Sequence, residues 1–188
     1  MADRVARSEF ILGGQKSGKS RRAEGLAQQW LQASGAHRAL LIATAQGGDD
    51  EMRERIARHQ RERAVRVPGI VTCEEPLMVA ETLHLHSAPH TLVVVDCLTL
   101  WLTNLLMPST GTPTDPQAPV QALLRAIDAA RGPLVLVGNE IGLGVIPTGR
   151  ETRVFVDALG SLNQAVAAAC ERVSLMAAGL PLTLKDAP

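Results

Sequence analysis

Gly13, Gly18, Lys19 and Ser20 stand in the spacing Gly-x4-Gly-Lys-Ser directly after the apolar run Phe10-Ile11-Leu12. That pattern, entered from a strand and left by a helix, is the phosphate-binding P-loop. The backbone N–H groups of Gly13, Gly14, Gln15, Lys16, Ser17 and Gly18 are expected to wrap phosphate oxygens, with the positive end of the following helix behind them. Lys19 then reaches the β- and γ-phosphates, and Ser20 ligates a nucleotide-bound Mg²⁺. A loop of this kind works with a carboxylate at the end of a neighbouring strand. The run Thr91-Leu-Val-Val-Val-Asp96 supplies one, which makes Asp96 the metal or water partner by position. Asn139-Glu140, at the end of Leu134 to Gly138, faces the same crevice if the sheet is parallel, because ligands collect at the carboxyl ends of strands. A role in the turn serves Asn139 equally well.

A second constellation lies in Asp49-Asp50-Glu51-Met52-Arg53-Glu54-Arg55-Ile56-Ala57-Arg58-His59-Gln60-Arg61-Glu62-Arg63. It begins acidic and ends basic, matching the helix dipole at both ends. Met52, Ile56 and His59 share one face, and Arg55 and Arg63 sit one turn before and after the histidine. An imidazole so placed has a lone pair that can attack phosphorus, and the guanidiniums beside it can hold a triphosphate. A solvated arginine face carrying a packed histidine fits the same spacing.

The elements that must position these groups can be read from the apolar pattern. FILGG, ALLIATA, TLVVVDC and PLVLVGN are nearly continuous apolar runs, as strands covered on both faces require. Helices are expected over Lys19 to Ala33, Asp49 to Arg63, Pro76 to His86, Leu98 to Met107, Pro119 to Arg131 and Arg150 to Arg172. In the last, Phe155, Leu159, Leu162, Val166 and Ala169 form one stripe for the core. VSLMAAGLPLTLK adds a strand or hairpin, with Pro181 against its centre. The fold class is therefore α/β, a mainly parallel sheet with helices on both faces. Residues 1–188 read as one domain, with a polar leader over 1–8 and an exposed proline-rich loop over 108–119.

Composition narrows the function classes. Nineteen Lys and Arg balance 19 Asp and Glu, so no basic excess points to nucleic acid. Two Trp, two Phe and no Tyr leave few platforms on which single-stranded bases could stack. Cys73, Cys97 and Cys170 are odd in number and far apart, and read as buried thiols of a reducing compartment. No run of 18 apolar residues is present and MADRVARSE lacks the apolar stretch of a signal peptide, so a cytoplasmic protein without a membrane span is expected.

Together, GGQKSGKSRRAE, LIATAQGGDDEMRERIARHQRER, TCEEP, VVVDCLTLWLTNLL, VLVGNEIGLGVIP and LNQAVAA, in this order from about residue 9 to the C-terminus, resemble the bifunctional adenosylcobinamide kinase and adenosylcobinamide-phosphate guanylyltransferase family of cobalamin biosynthesis. The resemblance implies a RecA-like P-loop NTPase fold, usually assembled as a homotrimer. It implies phosphorylation of adenosylcobinamide with ATP or GTP and Mg²⁺, then transfer of GMP from GTP to the phosphate, with release of pyrophosphate. The family's guanylylated histidine falls on His59, with Lys19 and Asp96 as the other catalytic residues. Its nucleotide contacts carry over to Gly13 through Ser20, to Ala43, Thr44 and Ala45, to Gln60, Arg61, Glu62 and Arg63, to Glu74 and to Asp96, with Ser20 and Asp96 toward the metal. Glu75 stands beside Glu74 as the alternative contact. Family members often carry Arg-Pro and then Trp where this chain reads RERAVRVPGIVTCEE, so base contacts in that stretch are open. Arg150 and Arg153 are expected to bind phosphate across a subunit boundary or to lie on the surface. Two other readings share the P-loop: a small-molecule kinase in which His59 is structural, and a nucleotide-dependent switch, the latter without any Asn-Lys-x-Asp motif to read guanine.

Overall fold

In the computed structural model, which describes residues 5–186, the apolar runs pair into one seven-stranded sheet of order β3-β2-β4-β5-β1-β6-β7. The strands are β1 Ser8–Gly13, β2 Arg38–Ala43, β3 Ile70–Glu74, β4 Thr91–Asp96, β5 Leu134–Val137, β6 Arg172–Ala177 and β7 Leu180–Asp186. Only β7 runs antiparallel, to β6. The helices are α1 Lys19–Ala33, α2 Asp50–Arg66, α3 Val79–His86, α4 Leu98–Leu106, α5 Gln117–Asp128 and α6 Arg150–Ala169.

The continuous apolar strands divide their side chains between two cores. Phe10, Ile42, Val93, Val95 and Leu136 point to the face covered by α3, α4, α5 and α6, packing on Leu83, Leu98, Trp101, Leu123 and Leu162. Ile11, Leu41, Val94 and Val135 point the other way, onto Ala23, Leu26 and Ala27 of α1 and onto Val67 after α2. Burial on both faces is what removes the polar alternation from these strands. Each fully buried Leu, Ile or Val contributes about 1.5–3 kcal/mol.

Several boundaries differ from the sequence expectation, each for a local reason. β3 was not expected: it lies at the sheet edge with Val71 and Thr72 exposed, and so lacks the apolar run of a covered strand. Helix α3 begins at Val79 because Glu75 Oε1 accepts from the backbone N–H groups of Leu77 and Met78, closing a turn ahead of it. Pro119 falls in the first turn of α5, where a missing N–H costs nothing, so the helix starts inside the proline-rich segment. Most of that segment is exposed. Helix α6 stops at Ala169; Cys170, rather than exposed Ala169, closes its apolar stripe, and Arg172 already belongs to β6. Pro181 is tolerated because β7 is an edge strand, and the turn Ala178-Gly179, with φ of 51° and 81°, closes the hairpin. The leader ends earlier than residue 8: Ala6 is buried and Ser8 is the first residue of β1, while 1–4 lie outside the described residues. Cys97 and Cys170 are buried thiols, whereas Cys73 is half-buried.

Candidate functional site

The phosphate loop is a backbone device before it is a set of side chains. Gly13 ends β1 at φ 153°, where a Cβ would lie 2.6 Å from the Met176 carbonyl oxygen and 2.6 Å from Ser17 Oγ, so only glycine fits. Lys16 and Gly18 then take φ of 57° and 103°, turning the chain back on itself into the start of α1. Gly14, Gln15 and Lys16 are exposed, while Ser17 and Lys19 are buried. The Lys19 ammonium donates to the Gly14 carbonyl at 2.7 Å, which holds it inside the loop. Burial lowers its pKa, while Cys97 and Asp96 act in the opposite direction. Behind the loop, Gly179 N donates to the Ser17 carbonyl at 3.0 Å, so the β6–β7 turn braces it.

Asp96 stands two strands from β1, with β5 between them. Registry of Ala43 with Asp96 brings the ends of β2 and β4 together. There the Thr44 amide donates to the Asp96 carbonyl at 3.1 Å, and the Thr44 hydroxyl both donates to the Cys97 carbonyl (2.7 Å) and accepts from the Cys97 amide (2.9 Å). The Asp96–Cys97 peptide between them is cis. Asn104 Nδ2 donates to the Thr44 carbonyl at 2.8 Å. Thr44 is fully buried, and its hydroxyl clamps the backbone that carries Asp96, with half-buried Ala43 and Ala45 on either side.

Burial raises the Asp96 pKa, against the favourable field of Arg63, a hydrogen bond from Ser20, and the charges of His59 and Lys19. Those four groups come from the loop and from α2, so the carboxylate is where the two constellations meet. Ser20 and Asp96 form an oxygen pair of the kind Mg²⁺ takes when phosphate oxygens complete its shell. Among the described residues no cluster of three or more His, Cys, Asp and Glu would hold a metal on protein ligands alone.

Asp49 caps α2 by accepting from the Met52 amide at 2.7 Å. The other end of the helix is docked: buried Arg63 donates to Thr72 Oγ1 at 3.1 Å and faces Glu24 at 3.8 Å, and Arg66 pairs with Glu24 and Glu62. His59 is half-buried. The four residues Gln60 to Arg63 point in different directions, as 100° steps around a helix require. Gln60 Nε2 donates to Glu74 Oε1 at 3.0 Å, Glu62 pairs with Arg66, Arg63 is buried, and Arg61 is exposed. The two neighbouring glutamates also separate: Glu75 is occupied by the turn before α3, while Glu74 is exposed at the end of β3.

Asn139 and Glu140 tie the end of β5 to its surroundings. The Asn139 amide donates to Thr99 Oγ1 (2.8 Å), and its carbonyl accepts from Asn163 Nδ2 (3.1 Å). The Glu140 amide donates to the Gly13 carbonyl at 3.2 Å. Asn163 was missed from sequence; the signal was a polar residue beside Leu162 within the apolar stripe of α6. Arg153 donates to the carbonyls of Pro147 and Thr148, and Arg150 is exposed.

The family model described as cobinamide kinase / cobinamide phosphate guanyltransferase matches residues 9–184. The chain belongs to this family. It is 47% identical to the bifunctional adenosylcobalamin biosynthesis protein CobP of Pseudomonas aeruginosa over 96% of this chain and 98% of that one. It is 34% identical to the bifunctional adenosylcobalamin biosynthesis protein CobU of Escherichia coli, covering 94% of this chain and 98% of that one. Among solved structures, the flagellar accessory protein FlaH of Methanocaldococcus jannaschii is similar with a TM-score of 0.53 at 10% identity, over 96% of this chain and 79% of that one. At that identity the likeness speaks for the α/β P-loop NTPase fold alone. Among the described residues no helix is long and apolar enough to cross a membrane.

Proposed function

We propose that this member of the family carries out both reactions on one phosphate loop, phosphorylating adenosylcobinamide and then transferring GMP to the phosphate through His59. The observation that carries the reading is the convergence on Asp96, which feels Ser20 and Lys19 of the loop and His59 and Arg63 of α2 at once. A triphosphate held by the loop therefore lies within the field of the histidine helix.

In the first reaction Lys19 and the loop amides hold the β- and γ-phosphates, and Asp96 orients the acceptor hydroxyl and takes up its proton. The hydroxyl oxygen bonds to the γ-phosphorus, the β–γ bridge breaks, and a nucleoside diphosphate leaves. Ser20 and Asp96 would hold Mg²⁺, which neutralises charge on the phosphates when bound. In the second reaction a ring nitrogen of His59 bonds to the α-phosphorus of GTP, and the α–β bridge breaks with release of pyrophosphate. A phosphate oxygen of the corrinoid then displaces the histidine, giving adenosylcobinamide-GDP. Gln60 and Glu74, hydrogen-bonded side by side, are the pair we assign to the guanosine of that step, Glu74 rather than Glu75 because its carboxylate is not capping a helix.

The assembly is read as a cytoplasmic homotrimer. Exposed Leu180, Leu182 and Leu184 on the edge strand, and Leu143, Val145 and Ile146 after β5, are apolar surface that assembly would cover. Sedimentation equilibrium is expected to give three times the chain mass; the monomer mass would remove the trimer. The catalytic reading is tested by incubating the protein with adenosylcobinamide, ATP and Mg²⁺, then adding GTP. The monophosphate is expected first and the GDP-linked corrinoid second. A monophosphate that is never guanylylated would leave a small-molecule kinase.

A further inference from the structure

The β6 side of the phosphate loop carries a groove to which no group has yet been assigned. It lies between α1 and the β6–β7 hairpin, has a volume of about 590 Å³, and opens at Lys16 and Gly18, both residues of the loop itself. Apolar atoms come from Leu26, Met176 and Pro181, and Arg21 stands at the rim. Gly25 also lines it, exposed, where an added Cβ would meet nothing within 4 Å, so the helix surface there is open to a flat ligand. An arginine beside such a face can stack on a planar base or pair with a phosphate.

The direction of the triphosphate gives the groove its occupant. The order of strands puts β6 and β7 on one side of β1, and β4, β2 and β3, with the Asp96 and α2 wall, on the other. When Lys19 and Asp96 hold the γ-phosphate for transfer, that phosphate marks the Asp96 side, and the nucleoside leaves the loop toward β6. When His59 attacks the α-phosphorus, the order must be reversed: the α-phosphate lies on the α2 side, and β and γ occupy the loop. One bound pose cannot present both phosphorus atoms to the same wall.

We propose that the loop has two nucleoside subsites, one on each flank, and that the triphosphate runs through it in opposite directions in the two reactions. The phosphoryl donor's purine nucleoside takes the groove between α1 and the hairpin, with its base over Gly25 and its α-phosphate near Lys16 and Arg21. The guanosine of the transferase step takes the α2 and β3 side. This rests on the two-reaction reading of the site.

Photolabelling with 8-azidoadenosine triphosphate, followed by peptide mapping, reads the base position directly. Label within residues 16–29 or 176–181 is expected; label within Gln60 to Glu74 overturns the proposal. A Gly25→Phe variant, and Arg21→Ala should the first not fold, are expected to raise the KM for the phosphoryl donor about tenfold. Both keep the wild-type rate at which α-labelled GTP modifies His59. Equal loss of both steps, or an unchanged KM, overturns it. If the wild-type protein takes no α-label at all, the two-reaction reading fails instead, and the photolabel still reports on the groove.

Discussion

At the residue scale the site depends on buried Lys19 and half-buried Asp96, two groups whose environments oppose their ionised forms. Lys19 is held by the Gly14 carbonyl and its pKa is lowered by burial. Of the two lysines in the loop, Lys19 is buried and Lys16 is exposed, so Lys19→Ala is expected to reduce kcat of both reactions about a hundredfold or more, measured by product formation at saturating nucleotide. Asp96 is raised by burial, so the folded state holds its proton to higher pH than the unfolded chain does. The sign follows: the protonated carboxyl favours folding at acid pH, and that contribution is lost as pH rises through the folded pKa. Asp96→Asn is therefore expected to melt at a higher temperature than wild type near pH 8, with the difference closing as pH falls, and to be inactive throughout. A variant less stable at pH 8 would show that the fields of Arg63 and Lys19 outweigh burial.

At the element scale α2 is docked on Glu24 and Thr72 by its C-terminal turn, while Asp49, Asp50 and Glu51 at its N-terminus are all exposed. Glu24 pairs with Arg66 and faces Arg63, whose Nε is buried without a hydrogen bond. Replacing Glu24 by Ala takes from buried Arg63 the carboxylate it faces at 3.8 Å, and urea denaturation is expected to show a loss of about 3 kcal/mol. Glu62→Ala, which removes only a half-exposed partner of Arg66, is expected to cost about 0.5 kcal/mol or less. We place the hinge that lets α2 serve two phosphorus atoms at Gly47-Gly48. Arg53 donates to the Gly47 carbonyl at 2.9 Å, so the hinge is latched from within the helix. Backbone angles at Gly47-Gly48 are expected to differ between the nucleotide-free and GMP-bound protein, and unchanged angles would remove the hinge.

What could be read in advance divides along the same line. Helix α1 was legible to the residue, because the loop glycines fix its start and Ser34 takes extended geometry at its end. The histidine face was legible because spacing within one helix is local. The Thr44 clamp on Cys97 was not, since it needs the register of β2 against β4. Nor was β3, whose half-exposed side chains mimic a loop, and with it went the pairing of Gln60 with Glu74.

At the scale of the whole molecule, the strand order sets the phosphate loop between two flanks: the hairpin on one side, and the Asp96 and α2 wall on the other. Family membership names the two activities, and this division is what would let one loop serve both. The central claim is that His59 carries the GMP between them. GTP labelled at the α-phosphate is expected to leave an acid-labile, base-stable label on the wild-type protein and none on His59→Ala, which keeps the kinase step. Label retained by His59→Ala would contradict the account.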